Sequence, residues 1–184
     1  MRGKAVAFAS TLVAALPVVQ YVVIAALAVA AWSPRPALLA PVLLFADLLN
    51  PVLKSVAARL LPPSLTDRPS GCGTFMDVCV SCDILPRPGE ESPVRGRGMP
   101  SGHCQSAALM AAYVTRAQAR DKDAPLLRRV VTAALAWAAA LAVAAQRILV
   151  RCHSPPQVAA GLATGAALGW LGGAVADRLA GPTA

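Results

Sequence analysis

Charge, aromatic rings and histidine are all scarce in this chain of 184 residues. Charged residues make up 14% of it and hydrophobic ones 57%, with a mean hydropathy of +0.58. An ordinary soluble domain carries about 25% charged residues, so a water-soluble fold is excluded and a membrane protein is implied. Aromatic residues supply only 4%, so bulky knobs cannot fill the space between helices. Small side chains must do so, which favours a closely packed bundle. Zinc is poorly provided for: Cys79-x-x-Cys82 has neither a second cysteine pair nor a nearby histidine. The only histidines are His103 and His153, and both stand at the ends of apolar segments.

What is abundant is apolar sequence in long runs. A bilayer core of about 30 Å needs about 20 apolar residues at ~1.5 Å each, and five segments qualify: 5–32, 36–61, 98–117, 128–147 and 154–178. The expected fold is therefore all-α, a single membrane domain over 1–184 with about five transmembrane helices. Polar residues 62–97, rich in Pro, Gly, Asp and Arg and without periodicity, form the one long loop. Arg2 and Lys4 before the first segment resemble a signal peptide, but its length argues for a retained anchor. Within the second, Asp47, Asn50 and Lys54 fall on one helical face, which should look into the bundle. Asp47 and Asn50 read as packing partners there. Gly161, Gly165, Gly169 and Gly173 recur every four residues in the last segment, a stripe along which another helix can approach closely.

Five spans bring the loop 62–97, the start of the third span with His103, and the 147–153 connection to one membrane face. The opposite face receives Arg116, Arg120, Lys122, Arg128 and Arg129. The positive-inside tendency makes that face cytoplasmic and the histidine face lumenal or extracellular, in the endoplasmic reticulum or another cell membrane. Arginines at span ends, Arg128, Arg129 and Arg147 among them, can snorkel. Cys72, Cys79 and Cys82 lie in the histidine-side loop, where a disulfide between any two of them or free thiols are both possible. Cys104 and Cys152 read as packing residues. The net charge of +8 sits largely at helix ends, facing lipid headgroups rather than nucleic acid.

On the histidine face Lys54, Arg68, Ser101, Gly102 and Arg147 are all residue types that bind phosphate: a point charge, planar forks, and free N–H groups at a helix start. With Pro100-Ser101-Gly102-His103, and with Arg147, five residues, His153, three residues and Gln157, the chain resembles the phosphatidic acid phosphatase type 2 superfamily of membrane lipid phosphatases. That family's signature is Lys-x6-Arg-Pro, Pro-Ser-Gly-His and Ser-Arg-x5-His-x3-Asp. Here Gln146 and Gln157 replace the Ser and the Asp. Lys54 precedes Arg68-Pro69 by thirteen residues, and Arg87-Pro88 is a second choice for that part, with Arg68 preferred. Gly98-Met99-Pro100-Ser101, Gln105 and His153-x3-Gln157-Val158 resemble the dolichyl diphosphatase branch more closely.

The resemblance implies a metal-free, cofactor-free hydrolase acting on a phosphorylated membrane lipid. His153 would attack phosphorus, and His103 would protonate the leaving oxygen and then activate water. Lys54, Arg68, Ser101, Gly102 and Arg147 would hold the phosphoryl oxygens, Arg147 belonging to the catalytic set as well, and the Gln157 carbonyl would orient the nucleophile. Without the usual carboxylate, a lower rate or a more activated leaving group such as a diphosphate is expected. A phosphotransferase of the same superfamily and a catalytically impaired lipid-binding protein are the alternatives.

Overall fold

The computed structural model describes residues 34–70 and 96–179, with side chains from Ala37 onward, plus the backbone of 74–75 and 78–79 and the single position Val19. The expected first span, Arg87, Cys72, Cys82 and the side chain of Cys79 lie outside the described residues. Among the described residues there are four long helices and one short one: α1 (Pro34–Leu60), α2 (Pro63–Thr66), α3 (Gly102–Arg120), α4 (Leu126–Leu149) and α5 (Pro155–Leu179). A two-residue antiparallel pair, β1 (Thr74–Phe75) with β2 (Val78–Cys79), is the one departure from an all-helical chain among the described elements.

Three of the helices are long and apolar enough to cross a membrane, over Ala37–Leu60, Leu126–Leu149 and Pro155–Leu179. They coincide closely with the second, fourth and fifth expected spans. The third differs. It starts at Gly102 rather than at 98, because Pro100 has no N–H to give and disfavours helix at the residue before it. Its sequence, with His103, Gln105, Ser106, Arg116 and Arg120, is also too polar to qualify by composition. The reason is position. Helix α3 is the central element, buried over most of its first three turns, so its surface meets protein rather than lipid. One side packs Leu109 and Tyr113 against Leu39, Leu43 and Ala46 of α1 and Ala176 of α5. Its other side packs Cys104, Ala107 and Ala111 against Ala140, Val143 and Ala144 of α4 and Val158 of α5. The outer helices leave Leu44, Phe45, Leu48, Leu135, Leu141, Trp170 and Leu171 exposed, as lipid-facing surfaces do.

The glycine stripe determines how α5 meets α3. A methyl group at 161, 165 or 169 would run into the backbone carbonyl of Ser101, Gln105 or Leu109 respectively, three carbonyls spaced one helical turn apart. At 173 the obstacle is the Arg116 side chain. Backbone thus lies on backbone along α3, as small-residue stripes permit in membranes.

Polar ties then register the helices. Gln105, wholly buried, donates from Nε2 to the Ala46 carbonyl at 2.8 Å and accepts from Asn50 Nδ2 at 2.9 Å. Ser106 donates to Asp47 Oδ1 at 3.0 Å. The Asp47–Asn50–Lys54 face of α1 therefore looks inward, with its first two members serving α3. Replacing Gln105 with leucine would strand a buried carbonyl and a buried amide, and is expected to lower stability by about 1–3 kcal/mol. Thermal unfolding in detergent measures it.

At the far end, Arg116 and Arg120 both reach Asp177 Oδ2, at 2.8 and 3.2 Å, and Arg116 lies over the Trp170 ring at 5.0 Å. Arg129 does not snorkel: it donates to the last carbonyls of α3, Gln118 and Ala119, at 2.6 and 3.1 Å, where the helix dipole favours a cation. Charges expected at a lipid surface are in part consumed as helix caps and ties.

Candidate active site

The site forms where the C-terminal ends of α1 and α4 meet the N-terminal ends of α3 and α5. Helix α4 ends in a tight reversal. Val150 N donates to Gln146 O and Arg151 N to Ile148 O, at 3.0 and 2.9 Å, and Arg151 adopts a left-handed conformation with φ 55°. Such a residue just past the last helical turn is a usual way to stop a helix. The reversal brings His153 N to the Arg147 carbonyl at 3.2 Å. Two side chains six positions apart are thereby set into one pocket. Arg147 is wholly buried and bonded through Nε to Gln146 Oε1, not extended toward an interface. Cys152, between them, is disulfide-bonded rather than a packing residue; Cys104 is a free, buried thiol.

His153 is 3% exposed, and its surroundings determine which ring nitrogen is available. Gln157, one turn into α5, is wholly buried. Its Nε2 donates to the carbonyls of Leu65 and Asp67 at 2.9 and 2.7 Å, so the amide can point only one way. Oε1 then accepts the backbone N–H of Ser154 at 3.1 Å and lies 3.2 Å from His153 Nδ1. Since that oxygen can only accept, Nδ1 must carry the proton, and Nε2 keeps its lone pair. A neutral imidazole with a free Nε2 is the form a nucleophile needs.

Burial pushes the His153 pKa down to about 3, helped by the positive charges of Arg68, Lys54 and Arg147 and opposed by the Gln157 hydrogen bond. Three cations from three separate parts of the chain therefore converge electrostatically on one imidazole: Lys54 from α1, Arg68 from the segment after α2, and Arg147 from α4. Lys54 and Arg68, paired as an expectation from sequence, both act on His153, while the alternative Arg87 lies outside the described residues.

The depressed value has a consequence for stability. Unfolded, His153 titrates near 6.5; folded, it stays neutral to about 3, so the unfolded chain binds the extra proton in between and stability falls as pH drops below 6.5. Between pH 7 and 5 this amounts to about 2 kcal/mol. A His153→Gln variant is expected to lose correspondingly less on acidification, measured by thermal unfolding at both pH values.

Helix α3 delivers the second motif. Ser101 N donates to the Gln157 carbonyl at 3.1 Å, and Gly98 N to the Thr66 carbonyl at 2.6 Å, while Asp67 and Arg97 form an isolated antiparallel bridge. The 96–101 strand of chain is thus laced between the segment after α2 and the start of α5. Gly98 lies against the Gln157 amide, where a Cβ would clash, and Gly102 lies against Asn50. His103, 8% exposed, occupies the first turn of α3. Ser101 Oγ is wholly buried and has no nitrogen or oxygen partner among the described residues, and the buried Ser154 Oγ likewise has none.

The contributions of the Leu65 and Asp67 carbonyls and of Ser154 N escaped the sequence analysis. No motif signals a backbone acceptor.

A buried imidazole with one nitrogen committed, cations from three segments around it, and a helix N-terminus alongside form a site suited to phosphoryl groups. Residues 8–178 match the PAP2 superfamily, and the chain belongs to it. It is also similar to human "Glucose-6-phosphatase 3", 40% identical over 85 residues, which cover 41% of this chain and 23% of the human protein. The match thus spans about a quarter of that relative's length. No solved structure matches the chain.

Proposed function

We propose that this protein is an integral membrane phosphatase, one domain over 1–184, that hydrolyses a lipid phosphate or a polyprenyl, dolichyl-type diphosphate through a phosphohistidine. The observation that carries this reading is the tautomer of His153: Nδ1 is engaged by Gln157, which leaves the Nε2 lone pair for attack. Nε2 bonds to phosphorus as the ester or anhydride P–O bond breaks, and the departing oxygen takes the proton of His103. The same histidine then removes a proton from water. The resulting hydroxide attacks phosphorus, the P–N bond breaks, and phosphate leaves. Lys54, Arg68 and Arg147, with Ser101 and Gly102 at the start of α3, hold the phosphoryl oxygens and stabilise charge in the transition state. The buried Ser101 hydroxyl, at the start of α3, can donate to an arriving phosphoryl oxygen.

The lipid class is supported by lipid-facing helices around a site at their ends. The disulfide at Cys152 favours an oxidising, lumenal or extracytoplasmic compartment for that end. A soluble sugar phosphate is the second reading, favoured by the similarity to the human glucose-6-phosphatase. Gln105, which resembled a mark of the dolichyl branch, ties α1 to α3 here, so it reports packing as much as substrate.

The test is phosphate release by detergent-purified protein from phosphatidate, a polyprenyl diphosphate and glucose 6-phosphate, with and without chelator, and with an added alcohol to detect transfer instead of hydrolysis. Release from the lipid substrates that persists in chelator is expected. Preference for glucose 6-phosphate would replace the lipid reading, and loss of activity with chelator would remove the metal-free mechanism. His103→Ala is expected to slow turnover by about 10²- to 10⁴-fold, the usual contribution of a general acid–base.

A further inference from the structure

The family pattern places an aspartate where this chain has Gln157, and the surroundings of that amide show why a carboxylate does not fit here. We infer that Gln157 is a double-ended positioning residue, which sets the tautomer of His153 with its oxygen and anchors the Arg68-bearing segment with its nitrogen, in a site rebuilt around a neutral amide. The inference rests on the phosphatase reading above and extends it to how the nucleophile and the phosphate clamp are held together.

Each half of the amide is fully used. Oε1 accepts from Ser154 N and faces His153 Nδ1; Nε2 gives both of its hydrogens, to Leu65 O and Asp67 O. Leu65 lies in the last turn of α2 and Asp67 caps it, immediately before Arg68. The Gln157 amide thus ties that segment to the nucleophile's helix through two hydrogen bonds. Gly98, packed against the same amide, admits no side chain.

A carboxylate would alter both ends. One oxygen could still accept from Ser154 N and His153 Nδ1, but the other would face two carbonyl oxygens with no proton to offer, and acceptor against acceptor repels. The three cations around His153 would keep that carboxylate ionised and would themselves be drawn from phosphate toward it. The expected aspartate, restored, therefore harms rather than helps. On this reading the amide supplies the orienting acceptor expected of it from sequence and adds a second function.

The experiment compares Gln157→Glu, Gln157→Leu and Arg68→Ala, singly and as Gln157/Arg68 doubles, with folding checked by gel filtration and thermal unfolding in detergent. Gln157→Glu, close to isosteric, is expected to lower kcat/KM at least about tenfold, with KM raised as well as kcat lowered. Combined with Arg68→Ala, its effect on KM should largely disappear, because both changes act on the same clamp. Wild-type or higher activity in Gln157→Glu would overturn the inference. So would KM effects that simply multiply in the doubles, which would leave Gln157 acting on His153 alone. If Gln157→Glu does not fold, Gln157→Leu carries the same KM test, since it removes the tie without adding charge. Activity surviving His153→Ala would defeat the phosphatase mechanism itself, whatever the Gln157 variants do.

Discussion

Alanine at His153 is expected to reduce phosphate release by about a thousandfold or more, the scale on which loss of a covalent nucleophile is felt. His103 is the one remaining imidazole, and it stands in the first turn of α3 with its own part in proton transfer. Acid-quenched reactions with labelled substrate give the sharper readout. Wild-type protein and His103→Ala should carry label on the chain, the latter in greater amount because hydrolysis of the intermediate lacks its base, whereas His153→Ala should carry none. Label retained in His153→Ala would place the covalent step elsewhere and sink the proposal. His153 is buried, so its truncation leaves a cavity and is expected to cost some stability. Thermal unfolding of the variant in detergent separates that loss from loss of the nucleophile.

The largest effect on stability is expected from Gly165→Val. A Cβ at 165 would overlap the Gln105 backbone, carbonyl oxygen and carbon and Cα together, and backbone cannot rotate aside as a side chain can. Helices α3 and α5 must separate, which also pulls Ser101 away from the Gln157 carbonyl and Gln105 away from α1. Overpacking of this kind costs about 3 kcal/mol or more, and both the midpoint of thermal unfolding in detergent and the activity should fall together. Gly172→Ala is the comparison: its obstacle is the Val42 side chain, which can shift, so a smaller loss is expected. Equal stability of Gly165→Val and wild type would mean that the α3–α5 contact is not as close as described.

Much of this architecture was readable because membrane physics leaves few choices. Apolar runs of sufficient length gave α1, α4 and α5 to within a few residues. Spacing alone gave the inward face of Asp47, Asn50 and Lys54, and the glycine stripe. The third helix was legible as an element but not in its character, since a segment enclosed by protein need not be apolar enough for lipid. Arg129 misled in the same way. A cation at a helix end reads as an interfacial anchor, and only the packing shows that this one caps a neighbouring helix. Cys152 joined a disulfide that no local pattern announces, because the partner of a thiol is chosen in space.

The sequence by itself therefore determined the solvent, the class of fold and the residue types of the candidate site, because hydropathy and motif spacing are local properties of a chain. Tertiary structure decided that Lys54, Arg68 and Arg147 all act on His153, which nitrogen of that ring faces Gln157, and which carbonyls the Gln157 amide meets. Those depend on backbone carbonyls and turns far apart in the chain, and hydrogen-bond direction exists only once the groups have met.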